Sequence, residues 1–98
     1  DEVLLDVRSA EERETSVIPG SIHIPLDELR GRLDELDASK RLIVHCFSGQ
    51  RSYFAYRMLR LRGFDVRNLT GGIRSWQAAH PDRDRQRPAA EHISALAK

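Results

Sequence analysis

The chain has one cysteine, one tryptophan and one methionine among 98 residues. A single cysteine cannot close an internal disulfide, so no cross-linked framework holds the fold. A free thiol suits a reducing compartment, and a cytoplasmic location is the expectation. No apolar run approaches the roughly 20 residues of a membrane span, and no signal-peptide pattern is present. Sixteen Lys and Arg stand against fifteen Asp and Glu, a formal net charge of +1. That balance provides no broad field for nucleic acid or anionic membrane, and neither is an expected partner. The four histidines have no neighbours at ligand spacing. His45 beside Cys46 is no chelating pair, so neither a metal nor another cofactor is expected. No internal repeat is found, and the length suits one small domain with one core. The chain starts at Asp1 without Met and runs straight into strand-like residues. It is therefore expected to be a segment of a longer polypeptide.

What is present centres on the lone thiol. Cys46 follows the apolar run Leu42-Ile43-Val44 and opens the loop Cys46-Phe47-Ser48-Gly49-Gln50-Arg51-Ser52, with a helix-forming stretch directly after. That order puts a sulfur where backbone N–H groups and the positive end of a helix dipole converge. Such a nest lowers a thiol's pKa and makes it nucleophilic at neutral pH. Gly49 supplies backbone freedom for the curve, and Arg51 adds a planar cation on the loop's far side. Cys46 is thus the candidate nucleophile, and residues 47–52 form the candidate cradle for an anionic group. The plain alternative is a buried cysteine acting as a small hydrophobe, to which the loop context gives little support.

The remaining pattern alternates strands and helices. Val3-Leu4-Leu5-Asp6-Val7 reads as a buried strand. Ser9 is a candidate N-cap, with Glu11 and Glu12 in the first turn of a short helix. Pro19-Gly20 marks a turn, and Ile22-His23-Ile24-Pro25 a brief extended piece. Leu26, Leu29, Leu33 and Leu36 recur at helical spacing, which predicts an amphipathic helix over 26–36. Residues 41–45 form the strand that delivers Cys46. A helix is expected over 52–62, with Phe54, Ala55, Met58, Leu59 and Leu61 as its apolar members. Gly63 is its C-cap, and Arg57, Arg60 and Arg62 form a solvated face. A strand over 64–69, a turn at Gly71-Gly72 and a helix over 73–79 complete the packed region, with Trp76 in the core. Domain organisation is therefore residues 1–79 as one folded unit and 80–98 as a polar linker and short C-terminal helix or tail. The alternation implies a three-layer α/β/α arrangement around a parallel sheet, with the site beyond the carboxyl ends of the strands.

Four features together resemble a rhodanese domain, the single-domain sulfurtransferase family. They are Leu5-Asp6-Val7-Arg8, Ile18-Pro19-Gly20-Ser21, the loop from Cys46 to Ser52, and Leu69-Thr70-Gly71-Gly72-Ile73-x-x-Trp76. The resemblance spans residues 3–77. The family usually opens with a strand and helix ahead of the Asp-Val-Arg segment that this sequence does not contain. If the chain is really this short, the resemblance implies a sheet that lacks a strand or has it supplied by a second copy. The family's Gly-His-Ile-Pro-Gly-Ala turn has Ser16-Val17 in place of Gly-His, which predicts altered hydrogen bonding there.

The resemblance also implies a chemistry. Cys46 takes a sulfane sulfur from thiosulfate or a low-molecular-weight persulfide and passes it to a thiol or cyanide acceptor. The partners are then a small-molecule sulfur donor, a thiol acceptor and, in one version, a fused or associated disulfide or persulfide reductase domain. Phe47, Ser48, Gly49, Gln50, Arg51 and Ser52 are the expected substrate-binding residues. Arg51 is read either as steering an anionic donor or as pairing with an acidic residue to stiffen the loop. Asp6 and Arg8 are expected to be structural support, Asp6 bracing the active loop and Arg8 pairing with Glu11 or Glu12. His45 should point away from the thiol, because side chains alternate along a strand. His23 reads as a turn or surface residue, and His80 and His92 as tail residues. Two other functions compete: a non-enzymatic rhodanese-like binding or regulatory module, and a cysteine phosphatase or arsenate reductase. The phosphatases of this type carry five residues between Cys and Arg. Here Phe47, Ser48, Gly49 and Gln50 alone intervene, and the shorter loop favours sulfur.

Overall fold

A computed structural model describes residues 2–80. Four parallel strands, β1 (Glu2–Asp6), β2 (Ile22–His23), β3 (Arg41–His45) and β4 (Val66–Asn68), lie in the order β2-β1-β3-β4. The register sets Asp6 opposite His45 and Val44 opposite Asn68, so the carboxyl ends of the strands finish at one edge. Side chains alternate across β1 and β3. Leu5, Val7, Leu42, Val44 and Cys46 join one core with Leu29, Ala55 and Leu59, while Leu4 and Ile43 join another with Ile18, Leu69, Ile73 and Trp76. Helices therefore cover both faces, and the expected three-layer parallel architecture is present. Among the described residues no helix is long and apolar enough to cross a membrane.

The local signals work as the residues dictate. The first helix, α1 (Ala10–Thr15), begins with a capping box: Glu12 N–H donates to Ser9 Oγ at 3.2 Å, and Ser9 N–H donates to Glu12 Oε1 at 3.0 Å. The turn after it is closed by Ser21 N–H to the Ile18 carbonyl at 3.1 Å, so the substitution at Ser16-Val17 does not open it. The third helix, α3 (Gln50–Leu61), ends at Gly63, whose φ is +90°. The Phe64 N–H donates to the Leu59 carbonyl at 3.1 Å, a glycine-dependent reversal of the chain.

Two expectations need correction. The helix expected over 26–36 is α-helical only in α2 (Leu26–Leu29) and continues as 3₁₀ turns through Arg30–Glu35, with a kink at Arg32. The leucine spacings of three and four residues suit either geometry, so the apolar face is right although the helix type is not. Gly31 favours no helix strongly, and Arg32 bridges Glu28 and Glu35 across the kink. In α3, Phe54 is 65% and Leu61 85% exposed, so neither packs as expected. Ser52, Ala55 and Leu59 form its buried stripe, a narrower face than composition suggested. The readings that fall on residues 81–98, His92 and the C-terminal helix or tail included, lie outside the described residues. The fourth helix, α4 (Gly72–Ala79), is capped by Gly71 at φ +80°.

Candidate active site

The loop between β3 and α3 curls over Cys46. Gly49, at φ +109°, caps α3 and turns its N–H onto the sulfur, donating to Sγ at 3.1 Å. The Ser52 hydroxyl, one turn into the helix and fully buried, donates to the same sulfur at 3.4 Å. Burial alone would push the thiol pKa up. The Ser52 hydroxyl and the backbone groups of Ser52, Gly49 and Ser48 outweigh it, and the thiol lies below its ordinary value. The residue is 1% exposed, so the reactive atom sits at the floor of its loop rather than on the surface.

A loop that turns amides inward must satisfy its carbonyls outward. Here α4 does so. Ile73 N–H donates to the Cys46 carbonyl at 2.9 Å and Arg74 N–H to the Phe47 carbonyl at 3.1 Å. The Gly49 carbonyl accepts from Asn68 Nδ2 at 3.2 Å and from Tyr53 N–H at 3.2 Å. The approach of α4 is so close that a Cβ on Gly72 would collide with the carbonyls of Cys46 and Phe47, and its φ is +62°. The Gly71-Gly72 pair was legible as a turn. Its role as the buttress of the Cys46 loop was not, because nothing local marks what the turn abuts.

The candidate residues do not all converge. Cys46, Ser48, Gly49 and Ser52 act on the sulfur. Phe47 is 43% exposed and carries the Arg74 guanidinium 5.5 Å above its ring, and Gln50 is exposed at the start of α3. Arg51 turns aside: its two terminal nitrogens donate to Glu12 Oε1 and Oε2 at 2.7 and 2.8 Å. The second of its two expected roles, pairing with an acid, is the one the structure contains. Glu12, read from sequence only as a first-turn acid or a partner for Arg8, is drawn down to about 2 mainly by that guanidinium.

Arg8 is corrected accordingly. Its Nε and Nη2 donate to the Asp6 carboxylate at 3.0 and 2.9 Å, and it meets Glu12 only at the backbone carbonyl. Asp6 also holds Arg13 at 3.2 Å and makes no direct bond to the active loop. Burial would raise the Asp6 carboxyl, but the hydrogen bonds from Arg8 and the positive charges around it keep it below its ordinary value. The support is indirect: Asp6 fixes Arg8, Arg8 fixes the end of α1, and α1 presents Glu12 to Arg51.

His45 is fully buried, and among the described residues neither ring nitrogen has a hydrogen-bond partner of good geometry. Burial pushes its pKa down to about 4, against the pull of Asp6. It lies on the strand face opposite Cys46, as alternation requires, and stays neutral at physiological pH. His23 is half-buried, with Nε2 2.8 Å from the Arg8 carbonyl. His80 is no loose tail residue: its ring stacks on Trp76 with centroids 4.8 Å apart. Among the described residues no group of three or more His, Cys, Asp or Glu is placed to hold a metal ion.

Comparison with known proteins agrees with this geometry. The family model described as Rhodanese-like domain matches residues 1–79. The chain is 43% identical over 74 residues to the putative sulfur carrier protein YrkF of Bacillus subtilis, covering 74% of this chain and 40% of that protein. It is 36% identical over 81 residues to the thiosulfate sulfurtransferase GlpE of Pseudomonas savastanoi, covering 82% of this chain and 76% of the relative. A NAD-dependent persulfide reductase from A. fulgidus superposes with a TM-score of 0.68 at 48% identity, covering 78% of this chain but 14% of that one. The chain thus spans less than half of YrkF and a small part of the reductase. With a parallel sheet, a helix-capped thiol loop and a family match over residues 1–79, the chain belongs to the rhodanese-like domain family.

Proposed function

We propose that this domain is a sulfurtransferase that moves a sulfane sulfur through a persulfide on Cys46. The observation that carries the reading is a buried sulfur that receives the Gly49 N–H and the Ser52 hydroxyl and is shifted toward its thiolate. In the first half-reaction the thiolate attacks the outer sulfur of thiosulfate or a low-molecular-weight persulfide. A Cys46 S–S bond forms, the donor's S–S bond breaks, and sulfite or a thiolate leaves with the electron pair. In the second, a thiol or cyanide attacks the outer sulfur and the Cys46 thiolate leaves. The terminal persulfide sulfur is anionic, and the amides of residues 48–52 are the groups that stabilise it. The names of the similar proteins, a sulfur carrier, a thiosulfate sulfurtransferase and a persulfide reductase, support this chemistry. The last also supports a fused or associated reductase domain as partner.

The phosphatase reading loses support from Arg51. A phosphatase needs that guanidinium for the tetrahedral oxyanion, and here both of its forks are on Glu12. No particular observation favours the non-enzymatic module. Incubation with thiosulfate or a low-molecular-weight persulfide should add one sulfur to Cys46, removable by cyanide or a thiol, and Cys46→Ser should abolish the adduct. Intact-protein mass spectra without an adduct from any donor, with Cys46 reduced, would falsify the proposal.

A further inference from the structure

The one cation built into the active loop is engaged by another part of the chain. Arg51 presents its planar fork to Glu12, both bonds are short, and Glu12 is itself held by the Ser9 N–H and hydroxyl at 3.0 and 3.1 Å. Glu12 stays ionised at every pH at which a thiolate exists, since its pKa is about 2. The pair therefore carries no net charge, although the Arg51 guanidinium still feels the Cys46 thiolate. The other guanidinium near the loop, Arg74, lies over the ring of Phe47. On the side of Gly49 the surface is mostly apolar: a groove of about 420 Å³ is lined by Gly49, Gln50, Tyr53, Phe54 and Asn68.

Given sulfur transfer through Cys46, on which the choice of donor rests, this arrangement discriminates between the two donor classes. Thiosulfate is a small dianion, and an anionic nucleophile repels it; the loop amides offset part of that repulsion, and a cation beside them would offset more. A guanidinium that grips two oxygens at once is the usual means of holding such an oxyanion. An organic persulfide attacked in its neutral form brings no such repulsion, and its carbon skeleton suits an apolar groove. We infer that Glu12 is a specificity-determining residue: by engaging Arg51 it withholds that cation from the donor and tilts the site toward neutral organic persulfides over thiosulfate. The bonds made and broken are those of the first half-reaction, with an organic thiolate rather than sulfite as the leaving group.

Single-turnover loading of Cys46, read by intact mass with thiosulfate and separately with 2-hydroxyethyl persulfide, an uncharged carbon skeleton, tests this. Glu12→Gln keeps the shape and the cap but leaves the Arg51 charge uncancelled. It should raise the thiosulfate-to-persulfide rate ratio by about tenfold, a single-charge effect partly screened by water. Adding Arg51→Met to that variant should remove the gain. Should Glu12→Gln fail to fold, Arg51→Met alone serves. It leaves the Glu12 carboxylate bare, and the ratio should fall below that of the unaltered protein. Loading rates that change by the same factor for both donors would make the pair a loop staple and overturn the inference. So would a ratio that responds to Arg74→Gln and not to Glu12→Gln. If the unaltered protein takes sulfur from neither donor, the sulfur-transfer reading fails, a result distinct from any change in ratio.

Discussion

His45 and Cys46 are consecutive, titratable and buried, at 0% and 1% exposure, yet their environments drive them in opposite senses. Cys46 faces the α3 side of the sheet and is shifted toward its charged form, whereas His45 faces the α4 side and is shifted away from its own. Burial acts on both alike, penalising the ion. The difference is supply. The sulfur receives an amide and a hydroxyl from the start of α3. Among the described residues the imidazole has only the Asp6 charge and the Cys46 backbone to favour its ion, too little to offset burial. Depth in a protein does not make a group inert; the donors aimed at it decide.

The comparison breaks most severely at Gly72, against which the carbonyls of the Cys46 loop rest. Gly72→Ala combines a positive φ with a collision against the loop carbonyls. It should cost roughly 2–5 kcal/mol in urea denaturation and abolish sulfur loading. A variant that loads normally would show that the loop holds its shape without α4.

The next effect sharpens the other side. Unfolded His45 takes a proton near its ordinary 6.5, and the folded ring only near about 4. Between those values the unfolded state binds more protons. This residue's contribution is therefore complete above pH 6.5 and lost as the pH falls toward 4, by up to about 3 kcal/mol. His45→Phe should flatten the stability profile in that window. It should leave the loss below about pH 4.5 that comes from Glu12, whose folded pKa is depressed, and from Asp6. Parallel profiles for the variant and the unaltered protein would mean that His45 is hydrated or paired in solution.

The smallest effect falls on the sulfur itself. Ser52→Ala removes one donor and leaves the Gly49 amide, so the thiol pKa should rise toward its ordinary value. Alkylation by iodoacetamide at about pH 6.5, faster in the unaltered protein than for an ordinary thiol near 8.5, should slow by roughly tenfold. An unchanged pH profile would assign the shift to the backbone alone.

How far these features could be read from the chain varies by region. Strand β3 and the thiol at its end were plain, since an apolar run followed by Cys-x-x-Gly and a helix-forming stretch leaves few alternatives. The Ser9–Glu12 capping box was readable in part: Ser9 as N-cap was visible, the reciprocal bond from Glu12 was not anticipated. In α3 the pattern misled, because a helix with Phe54, Ala55, Met58, Leu59 and Leu61 has more apolar residues than the sheet has room to cover. The pairing of Arg51 lay beyond spacing arguments, for its partner is 39 positions away.

Local order in this chain follows from its own residues: glycines where φ must be positive, a serine where a helix needs a cap, alternation that separates His45 from Cys46. Those effects act over a few bonds, and backbone sterics decide them before any distant segment arrives. Assignment among equivalent charges was left to the assembled molecule. Arg8 had Asp6, Glu11 and Glu12 within reach along the chain, and Arg51 had no acid nearby at all. The placement of α1 beyond the end of β1, held by Arg8 on the Ser16 carbonyl and Arg13 on Asp6, gave Asp6 to Arg8 and Glu12 to Arg51. Attraction between ions does not depend on sequence separation, so the packed geometry alone ranks the candidates.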